Sequence, residues 1–134
     1  MVGASGGEFG IRGFVAAFHP ETGKELWRIY TVPAPGEPGS ETWPKGDEWK
    51  TGGAPVWVTG NYDPETNLAF FGTGNGGPTV GDNLDNLYTA STLALDVSTG
   101  AMKGYFQYHP NDSWDCDEVS PPNIGRLSAQ WANH

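Results

Sequence analysis

The chain has 134 residues, a net charge of −9 and 37% hydrophobic content, with 20 glycines, 11 prolines, six tryptophans and one cysteine. So acidic a surface repels a phosphate backbone, which excludes nucleic acid as the expected partner and favours cations. The single cysteine, Cys116, rules out an internal disulfide and a Cys-based zinc site, and no run is long and apolar enough to span a membrane.

In chain order, the opening "MVGASGGEFG" is Gly-rich and lacks the basic and apolar regions of a signal peptide. Strands are expected at 14–20 ("FVAAFHP"), 25–32 ("ELWRIYTV"), 54–62 ("APVWVTGNY"), 67–74 ("NLAFFGTG"), 91–97 ("STLALDV") and 103–109 ("KGYFQYH"). Each is rich in aromatic or β-branched residues and bounded by Gly, Pro, Asn or Asp. In "STLALDV" the alternation puts Leu93, Leu95 and Val97 on one face and Thr92, Ala94 and Asp96 on the other. Segments 33–53 and 76–89 read as long excursions, and no helix is expected. The chain stops at "SAQWANH" without a closing element, and both ends are expected to be cut from something larger.

The frame apolar–Ala–x–x–x–x–Thr–Gly occurs twice, in "VAAFHPETGKELW" (15–27) and "TLALDVSTGAMKG" (92–104). Thr22-Gly23 and Thr99-Gly100 each close a hairpin, glycine supplying the positive φ of the turn. A weaker third turn, "YDPETN" (62–67), has Asn67 in the glycine's place. The Thr-Gly spacing of about 77 residues fits two units of roughly 40, the size of a propeller blade; a plain β-meander with two similar hairpins is the alternative.

Several constellations could carry chemistry. "GTGNGGP" (72–78) contains G-x-G-x-x-G after a strand, but Pro78 and a turn-rich run follow where a dinucleotide fold needs a helix. It reads instead as a tight loop that lets Asn75 approach something bulky. Glu8 stands among glycines in "GASGGEFGIRG", and glycine permits close approach to a ligand; a flexible loop is the bland alternative. "GDNLDN" (81–86) lacks the spacing and terminal Glu of a calcium loop and reads as a solvated turn. His19, His109 and His134 show no metal-ligand spacing. Trp57, in "GGAPVWVTG", is either a core anchor or a ring offered to a planar ligand. Finally, "NDSWDCDEVSPP" (111–122) places Asp115 and Asp117 two positions apart, flanked by Asp112 and Glu118. Carboxylates so close repel unless water or a cation absorbs the charge. Residues i and i+2 of an extended segment point the same way, so the pair could grip one ion.

These stretches resemble the quinoprotein alcohol dehydrogenases, the family dependent on pyrroloquinoline quinone. The resemblance runs from about Gly3 to Pro122 through four ordered blocks, "GASGGEFGIRGFVAAFHPETGKELWR", "WKTGGAPVWVTGNYDPETNLAFFGTGNGGP", "GDNLDNLYTASTLALDVSTG" and "NDSWDCDEVSPP". Beyond Pro122, "NIGRLSAQWANH" departs from the expected pattern. The resemblance implies an all-β fold, with residues 1–134 forming about two blades of an eight-bladed propeller as a partial domain. The blades would be pinned by tryptophan docking motifs, of which Thr-Gly-x-x-x-Trp at 22–27 is one and 99–104, with Gly104 for Trp, a degenerate copy.

Residue by residue, the resemblance implies that Glu8 and Asn75 ligate the active-site metal. Ser5, Gly6 and Gly7, with Glu8, would lie against the quinone, and Trp57 would form the floor under its ring. Asp115 would be both catalytic base and metal ligand. A threonine often stands two places before the floor tryptophan; here that place is Pro55. Calcium-using members have a small uncharged residue where Asp117 stands, and lanthanide-using members have an aspartate. The loop is closer to the ethanol-oxidising branch, since the methanol-oxidising one usually has glycine in place of Glu118. The donor chemistry agrees independently: three carboxylates and one neutral amide oxygen suit a hard trivalent ion, with calcium the alternative.

The implied activity is oxidation of a primary alcohol to an aldehyde by hydride transfer to the quinone, with the metal as Lewis acid and cytochrome c as electron acceptor. The implied parent is a periplasmic enzyme, expected as a homodimer, and the isolated chain, lacking the other blades, is expected to be inactive. A non-catalytic propeller scaffold is the alternative class. It would keep the Thr-Gly hairpins and tryptophans but would not need Glu8, Asn75, Asp115 and Asp117 together.

Overall fold

The computed structural model describes residues 1–77 and 83–125, so Gly81 and Asp82 of "GDNLDN", and His134, lie outside the described residues. Among the described residues, seven strands form two antiparallel sheets. The first has the order β1 (Val2–Gly3), β2 (Phe14–Phe18), β3 (Glu25–Tyr30). The second runs β4 (Asn61–Asp63), β5 (Leu68–Gly72), β6 (Ser91–Asp96), β7 (Met102–Gln107). Among the described residues the only helical segments are short 3₁₀ turns, at Gly7–Phe9, Ser40–Thr42 and Glu48–Thr51. None is long and apolar enough to cross a membrane.

The repeated frame is a repeated structure. Ala17 pairs with Trp27 and Phe18 with Glu25, a bulge skipping Leu26; Ala94 pairs with Gly104 and Leu95 with Met102, the bulge skipping Lys103. Both hairpins close alike: Gly23 N–H donates to His19 O at 2.9 Å and Gly100 N–H to Asp96 O at 2.8 Å. Their glycines sit at φ 70° and 76°. The third turn holds Asn67 at φ 55° and is braced by Asp63, which accepts from Glu65 N–H and Thr66 Oγ1. Along β6, Leu93 and Leu95 are fully buried while Thr92, Ala94 and Asp96 are half-buried, as the alternation predicts.

Two expectations fail. No strand covers 54–60; only Asn61–Asp63 is paired in a sheet. Gly53 and Ala54 have φ of 77° and 48°, and Pro55 has no N–H, so a regular ladder cannot form. The segment becomes a strut between the sheets: Val56 N–H donates to Ala4 O, Ala54 N–H to Asn75 O, and Gly74 N–H to Pro55 O. The second failure is β1, a strand hidden in the Gly-rich opening.

The main core joins both sheets, Val15 on one and Ala69, Phe71, Leu93 and Leu95 on the other, with Val56 of the strut between. Each fully buried leucine contributes roughly 1.5–3 kcal/mol. A second small cluster, Val32, Trp43 and Ala54, roots the excursion 33–53. The Arg12 guanidinium also holds that excursion, 3.9 Å from the Tyr30 ring and 4.7 Å from Trp49, while donating to Val32 O.

Trp27 crosses from one sheet to the other. Its indole Nε1 donates to Val97 O at 2.9 Å, and a Cβ built on Gly100 would lie 2.5 Å from its Cε3. Gly23 has the same φ but nothing within 4 Å of such a Cβ. Gly23→Ala should therefore cost only the left-handed backbone, about 1–2 kcal/mol. Gly100→Ala should cost a further ~1–3 kcal/mol from overpacking against the indole. Urea unfolding of the two variants checks this; equal losses would mean that Trp27 yields freely and does not pin the sheets.

Candidate functional site

The Gly-rich opening folds into a 3₁₀ turn at Gly7–Phe9 between two left-handed glycines, Gly6 and Gly10. This turn presents Glu8 to solvent and buries Gly7. A Cβ on Gly7 would lie 3.0 Å from Pro55 Cγ and 3.3 Å from Asn75 Oδ1, so the glycine lets the opening loop, the strut and the end of β5 meet. Ser5 is exposed and follows Ala4, whose carbonyl anchors Val56. Ala4 and Gly7 thus lie beside Val56 and Pro55, while Trp57 stands with Met1 and Gly3.

Trp57 is not a core residue: its side chain is 48% exposed. It lines a recess of about 390 Å³ with Gly3, Val58, Gly60 and Phe71 among its walls.

The carboxylate loop closes over the end of β5. Asp117 Oδ1 accepts the Asn75 N–H at 2.6 Å, and Glu118 N–H donates to Thr73 O at 3.1 Å. Gly72 and Gly74 make room: Cβ atoms there would lie 2.7 Å from Glu118 Cγ and 2.6 Å from Asp117 Oδ1. Asp117 is half-buried and Asp115 exposed. Burial pushes the Asp117 carboxyl above the usual carboxylate range; the Asn75 N–H opposes this, and the charges of Asp115, Asp112 and Glu8 add to it.

Extended geometry for the pair does not hold. Asp115 and Asp117 have φ of 61° and 38°, both left-handed, so they sit on a turn and not on one face of a strand. Nor do three oxygens from Glu8, Asp115 and Asp117 all lie within 4.8 Å of one another; the three share an electrostatic field without forming a closed cage.

The residue behind this turn is Asp112, which the sequence offered only as a flanking charge. Its buried carboxylate accepts Trp114 N–H at 2.9 Å and Cys116 N–H at 2.7 Å, an Asx-type bracing of the backbone that carries both aspartates. The Asn-Asp turn signal at 111–112 was its only trace in the sequence.

The donor set fits a hard cation. It offers carboxylates and an amide oxygen, the half-buried Asp117 is disfavoured as an anion by its neighbours, and glycines let backbone and carboxylates close in. The half-exposed indole of Trp57 offers a face to a planar ligand, but its recess is lined by Gly3 and not by Ser5–Gly7, and Pro55 offers no hydroxyl.

The family described as "PQQ: Glucose/ethanol/alcohol dehydrogenase, beta-propeller domain" matches residues 3–133. The match therefore continues past Pro122, and the expected departure there is corrected. The quinoprotein alcohol dehydrogenase PedH of Pseudomonas putida is 45% identical over 140 residues, covering 90% of this chain and 23% of that protein. The crystal structure of quinohemoprotein alcohol dehydrogenase from Comamonas testosteroni superposes with a TM-score of 0.80 at 38% identity, over 90% of this chain and 20% of that one. A europium-containing methanol dehydrogenase gives a TM-score of 0.77 at 35% identity, over 87% of this chain and 24% of that one. This chain thus spans about a fifth of the length of such relatives. Two similar sheets, the motifs and a family match over nearly the whole length lead to one conclusion: the chain belongs to the PQQ-dependent alcohol dehydrogenase family of β-propeller proteins.

Proposed function

We propose that the chain supplies one wall of the active site of a PQQ-dependent alcohol dehydrogenase, and that Glu8, Asn75, Asp115 and Asp117 hold a trivalent lanthanide ion there. The observation that carries this reading is Asp117, fixed on the Asn75 N–H at 2.6 Å and raised by burial and by the charges of Asp115, Asp112 and Glu8. Three carboxylates balance a trivalent ion, whereas calcium leaves one negative charge in excess. Support comes also from the europium named for one similar structure.

When bound, pyrroloquinoline quinone would supply a hydride acceptor for the oxidation of a primary alcohol to an aldehyde, and a cation held by Glu8, Asn75, Asp115 and Asp117 would supply Lewis-acid chemistry. Asp115, exposed beside that site, accepts the alcohol's hydroxyl proton as general base. Trp57 would hold the quinone with its exposed indole, and Ser5, Gly6 and Gly7 would contribute further contacts to it. Asn75 keeps a neutral oxygen in the ligand set while its backbone N–H orients Asp117. On the same resemblance, residues 1–134 form a partial domain of an eight-bladed, homodimeric, periplasmic enzyme that passes electrons to cytochrome c. The chain alone would be inactive. A bare scaffold has no use for a carboxylate turn locked onto Asn75.

Two tests separate metal from quinone. Terbium luminescence, sensitised by Trp114 (82% exposed), reads ion binding by the chain itself. Asp117→Ala should weaken terbium binding by at least about tenfold, or 1.4 kcal/mol, and calcium should compete poorly. Unchanged affinity would make Asp117 a solvated loop carboxylate. Trp57→Ala should leave terbium binding intact. In a full-length quinoprotein carrying this segment, however, it should release quinone on dialysis, since an aromatic floor contributes ~0.5–1.5 kcal/mol beyond its buried area. Quinone retained at the parent level would remove Trp57 from the site. In the same background, Asp115→Asn should abolish alcohol-dependent dye reduction; persisting turnover would transfer the base role elsewhere.

A further inference from the structure

Among the described residues, one group of metal-ligand side chains converges. The ligand atoms of His109, Asp112 and Cys116 all lie within 4.8 Å of one another. It adjoins the carboxylate pair but uses different residues and a different chemistry. We propose that these three side chains form a binding site for a borderline-soft divalent cation of the zinc class, separate from the hard-oxygen site.

The donor set is imidazole, thiolate and carboxylate, the combination that selects zinc, cobalt and cadmium over calcium or a lanthanide. Counting cysteines excluded a zinc site built on cysteine alone; the fold instead gathers one of each donor, with the spacing His-x₂-Asp-x₃-Cys.

The geometry is close to what an ion requires. His109 Nε2 stands 3.9 Å from Asp112 Oδ1, too far for a hydrogen bond. Two ligands bonded tetrahedrally at about 2.0–2.1 Å lie about 3.4 Å apart, so His109 needs to close by only about half an ångström.

Asp112 is pre-oriented. Its carboxylate is fully buried and takes one backbone N–H on each oxygen, from Trp114 and from Cys116 itself, which leaves each oxygen a lone pair. The second of these bonds ties the cysteine to the carboxylate it would share an ion with. His109 is 45% exposed and Cys116 is exposed, so an ion can enter from solvent with water as a fourth ligand. A turn cap alone explains Asp112 but requires neither the imidazole nor the thiol.

Binding would release the thiol proton to solvent and fix Cys116, the residue between Asp115 and Asp117. A soft ion would thereby stiffen the turn that carries both carboxylates.

The test is titration of the 134-residue chain with cobalt(II) and cadmium(II), followed by thiolate-to-metal charge-transfer absorption. One equivalent should bind, and zinc should displace it. Cys116→Ser should abolish the band, and His109→Asn, at an exposed position, should weaken binding at least about tenfold. Asp117→Ala, which removes a carboxylate of the other site, should leave the band in place. The proposal is overturned if no charge-transfer band appears, if His109→Asn binds as the parent does, or if urea-unfolded chain binds equally well. Either of the last two results would mean a lone thiol capturing metal without a built site.

Discussion

The indole of Trp27 lying on the backbone of Gly100 is the contact on which the rest depends. A sheet hairpin has two faces and cannot bury both alone. Here β3 sends its tryptophan across to the turn of the next sheet, where the missing Cβ of Gly100 admits the ring and Val97 O accepts its N–H. A hydrogen bond of this kind contributes about 1 kcal/mol net; the ring burial adds to it and fixes the angle between the sheets. Glu8 and Gly7 belong to the first sheet's loops, and Asn75 to the end of β5 in the second. The close approach of Gly7 to Asn75 Oδ1 joins the two sheets' loops.

The strut 53–56 converts this docking into a site. It gives up regular pairing because Pro55 lacks a donor, yet it hydrogen-bonds to Ala4 on one side and to the Gly74–Asn75 turn on the other. Trp57 is left half-exposed beyond it. The same proline that prevents a strand thus sets two loops against one another.

Like charges are the cost of this arrangement. Asp112, Asp115, Asp117 and Glu8 act on one another, and the chain holds them by spending backbone N–H groups: Asn75 on Asp117, Trp114 and Cys116 on Asp112. Gly72 and Gly74 make room for the loop, and Asp115 and Asp117 adopt left-handed backbone to fit it. Burial and this mutual repulsion raise the Asp117 carboxyl above the usual carboxylate range, and the Asn75 N–H offsets part of it.

Period-two alternation made β6 legible, and Thr-Gly turns with apolar flanks made the two hairpins legible, because both depend on neighbouring residues only. The four blocks contain Gly7, Asn75 and Asp117, whose loops the fold sets against one another. Local pattern could not reveal β1, whose two residues are a strand only because Ala16 and Val15 pair with them. Nor could it show that 54–60 is unpaired, or that Asp115 and Asp117 sit on a turn where extended geometry was expected. His109 looked like a turn histidine; its nearness to Asp112 and Cys116 follows from how Asp112 bends the chain. The sequence by itself determined the strand-forming stretches, the turns and the chemical types of the donors, since these follow from propensity, φ preference and charge. Only the tertiary structure decided which donors face one another, because that depends on Trp27 seating on Gly100 and on glycines yielding space between segments dozens of residues apart.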